Sequence, residues 1–176
     1  MGYNIATQKE CKQYVFSHEK KRCIFISHKK EDEAAAIAIG AYLTNTVGIN
    51  IYLDTEDCLL KEAVNLQDDQ LIVESIKRGL ECSSDLLCLI SDKTKLSWWV
   101  PYGIGFADKQ KIEIAILKLK DIQDIPSYLK NRKVLFNTED FLKYISSLGR
   151  YGDIMAKEEY TRFSKCDNTA LTEYID

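Results

Sequence analysis

The run Leu86-Leu87-Cys88-Leu89-Ile90 restricts what this chain can fold into more than any other stretch. Five consecutive apolar residues leave no position for water, and polar residues bound the run before it reaches helical length. Such a segment is a strand buried on both faces. Four more short apolar segments, 22–27, 49–53, 112–117 and 134–136, share its character. Between them lie stretches of helical spacing. From Glu31 to Thr46 the alanines, Ile37, Ile39, Tyr42 and Leu43 form one stripe, which Gly48 ends. Asp69 to Gly79 carries another, with Leu71, Ile72, Ile76 and Leu80 on one face, and 97–109 and 139–148 supply two more helices. Strand alternating with helix five times predicts an α/β fold whose parallel sheet is covered on both sides.

A length of 176 residues fits one domain with short extensions. We divide it into an N-terminal arm or helix (1–21), a core domain (22–148) and a polar, tyrosine-bearing C-terminal extension (149–176) with a further helix. The net charge of −3, with signs interspersed, offers no basic stripe for nucleic acid. No stretch reaches 18 apolar residues and the N-terminus lacks a signal-peptide core, so no membrane association is expected and a cytoplasmic location is. The six cysteines contain no Cys-x-x-Cys pair. Cys23, Cys82 and Cys88 lie in or near apolar segments and read as small hydrophobes in a reducing compartment, with neither disulfide nor metal role. With only His18 and His28 present, a histidine-based zinc site is not expected.

Parallel sheets bind ligands outside the carboxyl ends of their strands. That rule selects three loops, 27–32, 54–68 and 91–97. No Gly-x-Gly-x-x-Gly or Walker sequence occurs, so a Rossmann or P-loop grip on a nucleotide is unsupported. After the third loop comes Ser97-Trp98-Trp99-Val100-Pro101-Tyr102-Gly103. Ser97 is a natural N-cap, and Pro101 fits a first helical turn. Adjacent residues on a helix point about 100° apart, so the two tryptophans do not share one face. Trp98 is assigned to packing and Tyr102 to the surface. In the first loop, Lys29, Lys30 and Asp32 suit a phosphate or a ribose, or equally a solvated charge run. Asp54 ends the second strand, where it either meets ligand or caps the following loop.

Taken together, Phe25-Ile26-Ser27-His28-Lys29-Lys30-Glu31-Asp32, Ile51-Tyr52-Leu53-Asp54, and Leu86 to Ser91 followed by Ser97-x-Trp99 resemble a TIR (Toll/interleukin-1 receptor) domain in order and spacing. The resemblance covers residues 22 to 146. Within that family the chain is similar to stand-alone bacterial TIR proteins, such as those of Thoeris antiphage defence, rather than to animal receptor adaptors. The resemblance implies a flavodoxin-like three-layer α/β/α fold with a five-stranded parallel sheet. It also implies NAD⁺ as substrate, with no metal. Ser27 and His28 would line the nucleotide pocket, with Lys29, Asp32, Asp54 and Ser97 around it, and Trp99 would stack on nicotinamide or adenine. The segment 54–68 corresponds to the mobile loop through which TIR domains associate with one another.

Enzymatic members of the family cleave the nicotinamide–ribose bond. Nicotinamide leaves as a neutral group, so no strong acid is needed, while the ribose acquires oxocarbenium-like charge. One carboxylate meets that charge, and the family supplies it from Ser-x-Trp-x-x-x-Glu. Here Ser97 and Trp99 match, but the glutamate position is Gly103. Two readings follow. Either the domain is naturally non-catalytic and works by homotypic association, or Gly103 is a substitution, engineered or recent, in a protein built to cleave NAD⁺. The second is favoured, because glycine inside a helix costs about 1 kcal/mol against alanine and invites refilling. The product would be an ADP-ribose-derived signal acting on a separate effector protein. A phosphoacceptor receiver domain fits less well. Its acidic cluster after the first strand and its aspartate after the third are replaced by Ser27-His28 and Ile90-Ser91.

Overall fold

The structure is a computed structural model. It describes residues 1–7, 22–53, 55, 57–120, 122, 124–148 and 153–176, of which 58, 59, 95 and 153–155 are described in backbone only. Five strands, β1 (Cys23–Ser27), β2 (Asn50–Tyr52), β3 (Asp85–Ile90), β4 (Glu113–Lys118) and β5 (Lys133–Leu135), form one sheet in the order β2-β1-β3-β4-β5. All four pairings are parallel, with Ile24 beside Ile51 and Ser27 beside Cys88. Among the described residues, seven α-helices surround it: α1 (Glu33–Ala41), α2 (Cys58–Leu66), α3 (Asp69–Glu81), α4 (Trp99–Lys109), α5 (Thr138–Ser147), α6 (Asp153–Ser164) and α7 (Thr169–Ile175). The expected three-layer, flavodoxin-like α/β/α architecture is the one present.

Side chains alternate along each strand between two cores. On one face Ile24, Ile26, Leu87, Leu89, Ala115 and Leu117 pack with Ile39 and Leu43 after β1, Phe141 and Ile145 of α5, Phe163 of α6, and Leu171 and Ile175 of α7. On the other, Phe25, Tyr52, Leu86, Cys88 and Ile116 pack with Leu80 of α3 and with Val100, Ile104 and Ala107 of α4. The C-terminal extension thus holds two helices where one was expected, and both add side chains to the first core. Residues 1–7 lie along β2, joined by a parallel bridge between Asn4 and Ile51 and ending in a single turn, Ile5–Thr7. The remainder of the 1–21 arm lies outside the described residues.

Several expectations need correction. The segment 54–68 is not one loop, because Cys58–Leu66 forms α2. Leu71 is exposed, and the buried face of α3 runs instead through Ile72, Ser75, Gly79 and Leu80. Ile37 also faces outward. The stripe that contains it continues beyond α1 as a π-helical turn, Tyr42–Val47, before Gly48 ends it in the left-handed conformation at φ 85°. Cys23 and Cys88 are buried free thiols, but Cys82 is disulfide-bonded. Cys82 is therefore not the free apolar filler expected.

Gly79 marks the tightest helix-to-sheet contact. A Cβ there would lie 2.5 Å from Phe25 Cε2 and 2.6 Å from Tyr52 Cε1, two rings stacked with centroids 5.4 Å apart. Gly105, on the exposed side of α4, has nothing within 4 Å of the same position. Gly79→Ala is expected to lower the unfolding free energy by about 2 kcal/mol through overpacking. Gly105→Ala should raise it by about 0.5–1 kcal/mol, as usual for glycine in a helix interior. Urea unfolding midpoints of the two variants test the contrast.

Candidate functional site

The sheet order places a topological switch between β1 and β3. The connection from β1 runs through α1 to β2 on one side, and that from β3 runs through α4 to β4 on the other. The two loops therefore diverge at the strands' carboxyl ends and leave a crevice. A cleft of about 640 Å³ opens there. Its first wall is the segment after β1, His28 to Glu31 with Glu33. The opposite wall is Leu96, Ser97, Trp98 and Trp99, after β3. Leu60, Lys61, Val64 and Asn65 of α2 form the third side, with Ile72 and Ile76 of α3 beneath and Thr55 at the mouth.

Of the residues singled out in the sequence, His28, Lys29, Ser97 and Trp99 come together in this cleft. Lys29 pairs with Glu31 at 3.3 Å, so its ammonium is held at the rim. Ser97 Oγ accepts the Val100 N–H at 3.2 Å at the start of α4, whose first residue, Trp99, lines the cleft. The ring of Trp99 is braced edge-on by Tyr102, with centroids 6.4 Å apart. Trp98 is not a packing residue. It is 88% exposed, and with Leu96 at 77% it makes an apolar lip.

Ser27 and Asp32 do not line the cleft. Ser27 is buried at the end of β1, its hydroxyl against the Cys88 thiol. Asp32 is buried and accepts a 2.6 Å hydrogen bond from Ser91 Oγ, while Lys93 Nζ stands 3.7 Å away. Ser91 in turn opens a capping box with Thr94. Asp32 thus ties the loop after β1 to the loop after β3, and sets the width of the crevice from behind. Asp54 lies outside the described residues.

Gly103 is buried in α4 one turn beyond Trp99, so the two positions share a helix face. A Cβ built on Gly103 would meet only the Ile76 Cγ2 methyl, at an ordinary 3.7 Å, and Ile76 lines the cleft. Gly103 has no left-handed backbone, so neither conformation nor packing requires glycine there.

Sequence reasoning missed the wall provided by α2 and what holds it. Asp57, only 2% exposed, precedes this helix. Its carboxylate accepts from Arg78 Nη2 at 2.7 and 2.9 Å, and from the Tyr52 hydroxyl. Burial and the Asp57 carboxylate together push the tyrosine's pKa well above its usual range. A signal for α2 existed in Leu60, Ala63 and Val64 at helical spacing behind an aspartate, whereas nothing local pairs residue 57 with residue 78. Among the described residues no cluster of His, Cys, Asp or Glu could hold a metal, and no helix is long and apolar enough to cross a membrane.

Comparison with known proteins finds no family model and no curated protein that matches the chain.

Two outcomes follow from these environments. Arg78→Met leaves the Asp57 charge buried without its cation. The expected loss is about 3 kcal/mol of stability, the low end for buried pairs because Arg78 is 35% exposed, with faster amide exchange across α2. Burial pushes the Cys23 and Cys88 thiols up to about 12. Alkylation needs the thiolate, so native protein at pH 8 should leave both cysteines unmodified by iodoacetamide. Denatured protein should label at both, as read by peptide mass mapping.

Proposed function

We propose that this chain is a TIR-type domain built to bind NAD⁺ and cleave its nicotinamide–ribose bond, and that Gly103 stands where the catalytic carboxylate belongs. The observation that carries the reading is the unfilled position beside Trp99. Residue 103 lies one turn along α4 from the cleft-lining Trp99, where a Cβ meets one methyl, that of the cleft-lining Ile76, at 3.7 Å. Gly40 and Gly79, by contrast, would bring a Cβ within 3 Å of core side chains. A helix that has room for a Cβ at 103 yet carries none is consistent with a lost functional group.

In this reading Trp99 supplies a flat wall for the departing nicotinamide or for adenine. Lys29 and Lys61 supply positive charge at the rim for the diphosphate. Asp32 acts from behind by fixing the loop that carries His28. Nicotinamide departs neutral, and positive charge grows on the ribose. A carboxylate in a water-poor cleft stabilises that charge far more than one in bulk water. Without it, the chain as it stands binds NAD⁺ and turns it over poorly. By analogy with Thoeris-type systems, the restored activity would generate an ADP-ribose-derived product in the cytoplasm for a separate effector protein.

A second reading, a non-catalytic module working by homotypic association, is favoured by one observation. Leu96, Trp98 and Val64, all lining the cleft, are exposed apolar residues. Such a patch is characteristic of an interaction surface.

Gly103→Glu decides between them. Incubated with NAD⁺ at high protein concentration, the variant should release nicotinamide on the order of 10²–10³ times faster than the present chain, measured by chromatography, with mass spectrometry naming the product. If neither chain releases nicotinamide and neither binds NAD⁺ by calorimetry, the association reading takes its place.

A further inference from the structure

A parallel sheet is most open to other chains at its edge strands, and β2 is one such edge. Natural edges are usually blunted by charge, often lysine. The edge here, Ile49-Asn50-Ile51-Tyr52-Leu53, carries none. What covers it is the strap of residues 1–7. The Ile51 N–H donates to the Tyr3 carbonyl at 2.9 Å. Asn4 then serves as a side-chain substitute for a ladder: its Oδ1 accepts the Leu53 N–H at 3.1 Å, and its Nδ2 donates to the Leu53 carbonyl at 3.2 Å. Gly2 N–H reaches the Thr44 carbonyl at 2.8 Å, a carbonyl within the π-helical turn after α1.

We propose that this strap is an edge guard, and that the β2 edge beneath it is a pairing surface for a second copy of the chain. In a strand, the N–H and C=O of one residue point the same way, so residues 51 and 53 turn theirs outward together, while the Ile49 N–H is already held by the Leu43 carbonyl at 3.0 Å. An antiparallel copy related by a two-fold axis at Ile51 satisfies them reciprocally. Ile51 exchanges both hydrogen bonds with its own equivalent, and on either side the Leu53 N–H meets the Ile49 carbonyl of the other copy. A surface that complements itself about one point is the isologous interface that closed dimers use. A ten-stranded sheet through both copies results. The strap is suited to release, since much of its grip on β2 passes through the single Asn4 side chain. It is also sterically critical at one point: a Cβ on Gly2 would lie 2.0 Å from the Ile49 carbonyl oxygen. Any side chain at position 2 therefore expels the strap.

The inference is independent of the NAD⁺ reading, and its test uses no nucleotide. Light-scattering mass and amide exchange at Ile51 and Leu53 are compared for the intact chain, a chain lacking residues 1–7, Gly2→Val, and Asn4→Ala. The strap-displaced chains should double in mass relative to the intact one. Their Ile51 and Leu53 amides should exchange quickly when dilute and at least tenfold more slowly when concentrated. The proposal fails if these chains, folded by circular dichroism, keep the intact chain's mass. It fails equally if they double in mass while both amides still exchange freely, since another surface then does the pairing. Should the truncated chain not fold, Asn4→Ala, which adds no bulk, carries the same two readouts.

Discussion

The organising constraint in this protein is that β3 has no exposed face. Every residue from Asp85 to Ile90 is buried, with strands on both sides and helices above and below. A strand in that position admits polar groups only at its ends, and each end is closed by a side-chain clamp. At the amino end Asp85 is fully buried and met by Arg22 at 2.6 Å and by the Ser84 hydroxyl. Burial nevertheless keeps its carboxyl above the ordinary carboxylate range, so desolvation outweighs the guanidinium there. At the carboxyl end Ser91 hands the same kind of contact to Asp32. The polar contacts of β3 are thereby confined to its two ends, and the carboxyl end lies beside the cleft.

That cleft inherits its shape from parts that do not touch its contents. Asp32 fixes the spacing of two loops from behind, and the Asp57–Arg78–Tyr52 network hangs α2 between β2 and α3. Both carboxylates are almost fully buried. Each works in a low-dielectric setting where a missing partner would be expensive. The walls are therefore stiffer than a cleft framed by loops would be. The exposed lip formed by Leu96 and Trp98 sits on this stiff frame without being packed by it, an arrangement suited to contact with something outside the chain.

Gly103 gains its meaning from the same frame. In isolation it is one glycine in a helix, less destabilising than a proline and easily overlooked. Set one turn after Trp99, with the methyl of the cleft-lining Ile76 as the nearest neighbour of a built Cβ, it is a buried position with room for a side chain. The contrast with Gly79, where two aromatic rings leave no space for a methyl, separates a glycine demanded by packing from one that packing ignores.

The sequence by itself determined the class of fold, the number of strands, and the end of the sheet at which the cleft opens. Those properties follow from short-range periodicity. An unbroken apolar run such as 86–90 can satisfy its backbone only inside a parallel sheet, and Gly48 ends a helix wherever the helix lies. The same local logic placed Ser97 just ahead of α4, where its hydroxyl accepts the Val100 N–H. It could not separate Trp98 from Trp99, because which of two adjacent rings finds a neighbour depends on what the helix packs against. Nor could it distinguish Asp32, a strut, from a ligand-binding residue. Its partner Ser91 is 59 residues away, and the sequence around 91 shows only a cap. Asp57 with Arg78, the disulfide at Cys82, and the strap of residues 1–7 on β2 were likewise decided by the tertiary structure alone. Pairings between distant residues depend on which surfaces the folded chain brings within about 3 Å of each other, and no local pattern in a sequence records that distance.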